Sequence, residues 1–152
     1  MRIVDIREKT FPLRTNMRNA AFDLSGLTTS VVAVVTDQKR DGKTVVGYAW
    51  GSLGKHACGA PMRARFIPRV LEAKPDSLLD DAGVIDPEKV QAAMNTKEKQ
   101  GGHAERSVPI GIIDTAVWDA VGKIQEKPVW RLLADRYNGG KHLTSVPCYV
   151  GG

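Results

Sequence analysis

Cysteine, aromatic residues and long apolar runs are all scarce in this chain of 152 residues. The two cysteines, Cys58 and Cys148, stand far apart with no Cys-x-x-Cys pair. That pattern excludes a disulfide framework and a zinc knuckle, and makes a reducing cytosol the expected compartment. No apolar stretch approaches the roughly 20 residues that a membrane-spanning helix needs. The opening Met1-Arg2-Ile3-Val4-Asp5-Ile6-Arg7 puts charges where a signal peptide carries an apolar stretch, which argues against secretion. The three histidines, His56, His103 and His142, have neither His-x-His nor His-Glu-x-x-His spacing and read as solvated loop residues. Phosphate-binding glycine loops of the Gly-x-Gly-x-x-Gly or Walker kind, and a Gly-x-Ser-x-Gly nucleophile turn, are absent too.

What is present begins with charge. Residues 1–70 hold 12 Lys and Arg against 5 Asp and Glu, whereas residues 71–152 hold 10 against 12, so the net +5 comes from a basic first half. A local excess of this kind serves a carboxylate ligand as well as a phosphate backbone. The basic residues are not interleaved with stacking aromatics, so nucleic acid is not the expected partner.

The first third reads as strands. Ile3, Val4 and Ile6 open an apolar stretch that resumes at Phe11 and Leu13, with Pro12 marking a strand end. A polar loop follows over residues 15–25. The β-branched run from Thr28 to Thr36, the Asp41-Gly42 turn and the return through Val45, Val46, Tyr48 and Trp50 complete a three-stranded antiparallel meander. Beyond it the periodicity turns helical. Met62, Phe66, Ile67, Val70 and Leu71 form one stripe, with Arg63, Arg65 and Arg69 facing outward. Asp86-Pro87-Glu88 is a capped helix start. A polar loop spans 95–105, and a long helix over 107–126 carries the stripe Ile110, Ile113, Val117, Val121 and Ile124. A short helix with Val129, Leu132 and Leu133 follows Pro128 and ends at Gly139-Gly140. Val146, Cys148 and Val150 then alternate as the start of a new strand, whose open edge implies that the chain is the N-terminal piece of something longer.

No catalytic constellation emerges from these residues. Asp114 and Asp119 lie five apart on the long helix and share no face, so structural pairing is the expected role. Trp118 and Trp130 read as core. Three polar or basic loops remain as candidates for an anionic ligand: Arg18-Asn19, Ser52 to His56, and Lys97 to His103.

The order of elements, with Ile113-Asp114-Thr115-Ala116-Val117-Trp118-Asp119-Ala120-Val121-Gly122-Lys123 followed by Lys127-Pro128-Val129-Trp130-Arg131-Leu132-Leu133, resembles the enolase superfamily. More narrowly, it resembles the N-terminal capping domain of the mandelate racemase/muconate lactonizing enzyme branch. Arg18-Asn19-Ala20, Thr28-Thr29-Ser30, Gly42-Lys43, Val45-Val46-Gly47-Tyr48 and the stretch from Asn95 to Val108 are similar to the D-tartrate dehydratases of that branch. The resemblance implies an α+β capping domain over residues 1–126, a three-stranded meander followed by a helical bundle. Residues 127–152 would be a linking helix and the first strand of a (β/α)₇β barrel. It implies an acid-sugar dehydratase whose Mg²⁺ ligands, lysine base and histidine acid all follow Gly152, leaving no catalytic or metal-binding residue here. The substrate would be a small carboxylate such as tartrate, and the complete enzyme a homo-oligomer with no nucleic-acid or membrane partner. The lid would comprise Arg18, Asn19 and Phe22 in the first loop, Ser52, Leu53 and Lys55 in the second, and Lys99 with His103 in the third, with Lys99 reaching the distal carboxylate. A racemase or cycloisomerase of the same superfamily, or a stand-alone module binding an anion or a protein, are the competing readings.

Overall fold

The computed structural model describes residues 1–16, 18, 20, 21, 23–51, 58–99 and 103–149, with residues 103 and 104 described by their backbone alone. Strands β1 (Ile3–Pro12), β2 (Thr28–Arg40) and β3 (Lys43–Trp50) form the expected antiparallel meander in the order β1-β2-β3. Asp41 and Gly42 both take positive φ, 49° and 74°. That pair suits the right-handed strand twist and fixes the hairpin register. Period-2 alternation then sorts the side chains. Ile6, Val32, Val34, Val45 and Ala49 go inward to the core, while Arg7, Lys9, Tyr48 and Trp50 go outward.

The inner face is covered by α4 (His103–Ile124), whose Ile110, Ile113, Val117 and Val121 are buried as the stripe predicts. The helix crosses the sheet at Gly47, where a Cβ would stand 2.0 Å from the Ala116 carbonyl oxygen and 2.7 Å from the Ala120 Cβ. Only glycine permits that approach. Helix α4 begins four residues before the expected Ser107. Pro109, the seventh residue of the helix, lies within it and is fully buried.

Residues 59–71 are helical throughout but not uniform. A short α1 (Gly59–Pro61) leads into a π-helical stretch, Met62–Phe66, and then α2 (Ile67–Leu71). The Ile67 amide bonds the Met62 carbonyl, one residue further back than in an α-helix. Pro68 lacks an N–H and would crowd the carbonyl four residues earlier, and a widened turn before it relieves that conflict. Met62, Phe66, Ile67 and Val70 are buried as expected, but Leu71 is exposed. A 3₁₀ turn (Pro75–Leu78) precedes α3 (Pro87–Asn95). There the Asp86 carboxylate caps the helix by accepting from the Glu88 amide at 2.9 Å, with Pro87 at the first position.

Helix α5 (Val129–Tyr137) closes the described fold. One expectation fails there: Trp130 is 54% exposed rather than core, its ring centroid 4.7 Å from that of His142. Leu132 is buried and the adjacent Leu133 exposed, as a short helix with one covered face dictates. Residues 141–149 pair with no other described strand. Asp114 and Asp119 do take separate surroundings. Asp119 accepts from the Tyr48 amide at 2.7 Å and from Lys123 Nζ at 2.6 Å, fastening α4 to β3.

Candidate functional site

The meander puts the end of β1, the start of β2 and the end of β3 on one side, so the first two candidate loops leave the same end of the sheet. Backbone bonds cinch them there. The Leu13 amide donates to the Leu27 carbonyl at 2.8 Å, the Gly51 amide to the Ser30 carbonyl at 2.7 Å, and the Thr29 hydroxyl to the Gly51 carbonyl at 2.7 Å. Within the first loop the backbones of Arg18 and Asp23 pair as an isolated antiparallel bridge, and the Asp23 carboxyl titrates below its ordinary range because the Ser25 hydroxyl, and then its amide, donate to it.

Beneath the loops lies an unexpectedly polar inward row. Thr10 Oγ1 donates to Glu8 Oε1 at 2.6 Å and sits 3.4 Å from the buried Ser30 hydroxyl. The Glu8 carboxylate, fully shielded from solvent, is paired with Arg63 from the π-helical stretch. Burying a carboxylate is costly unless a cation and hydrogen bonds compensate it, and this row supplies both. Gly59 makes the approach feasible, since a Cβ there would come within 2.5 Å of both Glu8 Oε1 and Thr10 Oγ1.

The same helical segment reaches the third loop. Arg69 Nη1 donates to Glu98 Oε1 at 2.6 Å and to the Met94 carbonyl at 2.7 Å. Arg65 Nη2 donates to Glu105 Oε1 at 2.8 Å, with its Nε 3.5 Å from Glu98. Arg106 bonds the carbonyl of Lys99. The Glu98 carboxyl is held below the usual glutamate range, first by the hydrogen bond from Arg69 and then by the charges of Arg65, Arg69 and Arg106, which outweigh partial desolvation. Lys97 takes a positive φ of 63° at the turn into this segment. Lys99 is exposed, and among the described residues its ammonium has no carboxylate partner.

Of the candidate residues, then, Arg18 stands at the cinched end of the sheet and Lys99 on the clasped loop. His103 is the first residue of α4, seen by its backbone only. Asn19, Phe22, Ser52, Leu53 and Lys55 lie outside the described residues. Sequence reasoning missed Glu8, Arg63, Arg65, Arg69 and Glu98 as a joined framework. The arginines read as a solvated face, and only the i,i+4 spacing of Arg65 and Arg69 hints that both reach one acceptor. The arrangement presents cations on rigidly based loops. Among the described residues no three His, Cys, Asp or Glu side chains gather as metal ligands. No described helix is long and apolar enough to cross a membrane.

No family model matches the chain. Among solved structures, a mandelate racemase/muconate lactonizing enzyme-like protein from Rubrobacter xylanophilus is similar in fold, with a TM-score of 0.53 at 16% sequence identity. The similarity covers 85% of this chain and 32% of that one, so the chain spans about a third of the neighbour's length. In this chain the fold is the expected α+β arrangement, a three-stranded antiparallel sheet followed by helices.

Proposed function

We propose that this chain is the capping domain of an enolase-superfamily enzyme that dehydrates acid sugars, with D-tartrate dehydratase as the nearest functional type. Residues 1–126 act as the lid and residues 127–152 lead into a (β/α)₇β barrel. The observation that carries the reading is the single helical segment 59–71, which ties the cinched sheet end through Arg63 and the Lys99 loop through Arg65 and Arg69. Three chain segments far apart in sequence are thereby based on one rigid support, as a lid over a substrate site requires.

In this reaction the C–H bond α to one carboxylate breaks, its proton passing to a base. The β-hydroxyl then leaves as water after protonation by an acid, and the resulting enol tautomerises to the 2-keto acid. The base, the acid and the Mg²⁺ ligands are assigned to the barrel. This chain contributes binding: Lys99, in a loop whose backbone is held by Glu98 and Arg106, supplies the cation for the carboxylate remote from the reacting carbon. A charge-assisted hydrogen bond of this kind fixes the substrate's orientation.

The test is product analysis on the enzyme in which this chain precedes its barrel, offered D-tartrate and related acid sugars with Mg²⁺. Stoichiometric 2-keto acid is the expected product. Recovery of an epimerised or cyclised acid instead would assign the racemase or cycloisomerase chemistry. A reading frame without a barrel would leave the stand-alone anion- or protein-binding module.

A further inference from the structure

The outer face of the sheet carries exposed side chains on both of its edge strands. Its rows follow from the register: Lys9, Val31 and Trp50 in one, Arg7, Ala33 and Tyr48 in the next, Asp5, Val35 and Val46 in the third. The middle strand thus offers only small apolar side chains. Cations line the β1 edge and aromatic rings the β3 edge, with Tyr48 55% and Trp50 65% exposed. Lys123 Nζ lies 4.9 Å from the centre of the Tyr48 ring, and Lys9 Nζ lies 5.1 Å from that of Phe11. The Trp50 ring has no cation on it among the described residues.

This layout is complementary to itself. A two-fold axis parallel to β2, between two sheets packed face to face at about 10 Å, lays β1 of each copy over β3 of the other and β2 over β2. Because such an axis preserves position along the strands, Lys9 comes opposite the second copy's Trp50 and Arg7 opposite its Tyr48. Val31, Ala33 and Val35 pack on their own counterparts. Each cation would then lie over an aromatic face, the geometry in which ring and charge attract. Within one chain the same side chains do not pair: Arg7 Nε donates to Asp5 Oδ2 at 2.7 Å, and Lys9 lies over Phe11.

We propose that the outer sheet face is a homodimer interface, occupied by a second copy of this chain about that axis, with reciprocal Lys9–Trp50 and Arg7–Tyr48 contacts. The proposal stands independently of the dehydratase reading. Sedimentation velocity on the chain from about 10 μM to 1 mM tests it, with circular dichroism melting to show that each variant is folded. The weight-average mass should rise from 16.5 kDa toward twice that value. Trp50→Lys, which sets Lys9 against a second cation at both symmetric contacts, should weaken association at least about tenfold. Ala33→Arg, which places two guanidiniums face to face on the axis, should do the same. The exchange variant Lys9→Trp with Trp50→Lys rebuilds both contacts with the partners reversed, and should recover association to within about threefold of the parent. A chain that stays monomeric throughout overturns the proposal. So does association that ignores Trp50→Lys and Ala33→Arg, or an exchange variant as weak as Trp50→Lys alone.

Discussion

The sheet's two ends are built on opposite plans. At the hairpin end, β2 and β3 are joined by the tight Asp41-Gly42 turn, and α4 is fastened alongside by Asp119 to Tyr48 and by Lys123 to the Val46 carbonyl. At the other end long connections leave the strands, and the inward row changes from valine to Glu8, Thr10 and Ser30, tied by ion pairs to a π-helical segment. One end uses apolar close packing, which tolerates no change of shape. The other uses ion pairs whose carboxylates, Glu8 and Glu98, are largely shielded, and these fix where the loops sit. Rigid scaffolding at one end and charge-held loops at the other is the division of labour expected where loops bind and the framework positions them.

That contrast can be broken most forcefully from the framework side. Phe66→Ala empties a fully buried site and should cost about 3–5 kcal/mol. Gly47→Ala forces a methyl group into the α4 backbone and should cost on the order of 3 kcal/mol. Chemical denaturation of the chain measures both, and a loss below about 1 kcal/mol at Gly47 would mean that α4 does not cross the sheet there.

On the loop side, Glu98→Gln removes the negative charge shared by Arg69 and Arg65. It should speed hydrogen exchange at the Thr96 and Glu98 amides by roughly tenfold while sparing those of β2. The pH dependence has a definite sign. Because the folded Glu98 carboxyl is depressed by its hydrogen bond from Arg69, its contribution is present above the ordinary glutamate range and is lost as pH falls through the lowered value. The variant should therefore lose this acid dependence of loop protection.

A smaller effect sharpens the comparison from within α4. Asp114 is half-buried, and burial pushes its carboxyl above the ordinary aspartate range. The sign is opposite to that of Glu98: the folded state binds the proton more tightly, so stability falls as pH rises from the unfolded value through the raised one. Asp114→Asn should raise the melting temperature by a few degrees at neutral pH and leave it nearly unchanged below the carboxylate range. A lower melting temperature at neutral pH would show that the carboxylate is paired.

The framework was legible because its signals are local. Alternation in β2, Asp41-Gly42, the Asp86-Pro87 cap and the 110–121 stripe each follow from residues close in sequence, and each appears where expected. Trp130 misled because apolar character reports a wish for burial and not the presence of a covering surface. The loop end was half legible. Its basic character and its place at strand ends were readable, but Glu8–Arg63 and Arg69–Glu98 join residues 55 and 29 apart, and no pattern in one sequence announces such pairs.

The reading of the third loop as a substrate clamp rests on Lys99, and the steady-state kinetics of Lys99→Met in the barrel-bearing enzyme test it most directly. A charge-assisted hydrogen bond in a closed site is worth roughly 1.5–3 kcal/mol, so kcat/KM on tartrate or its related acid sugars should fall by about tenfold to a few hundredfold. The melting temperature should stay within about one degree, because an exposed lysine contributes little to folding. Turnover at the parental kcat/KM by a folded Lys99→Met enzyme would contradict the assignment.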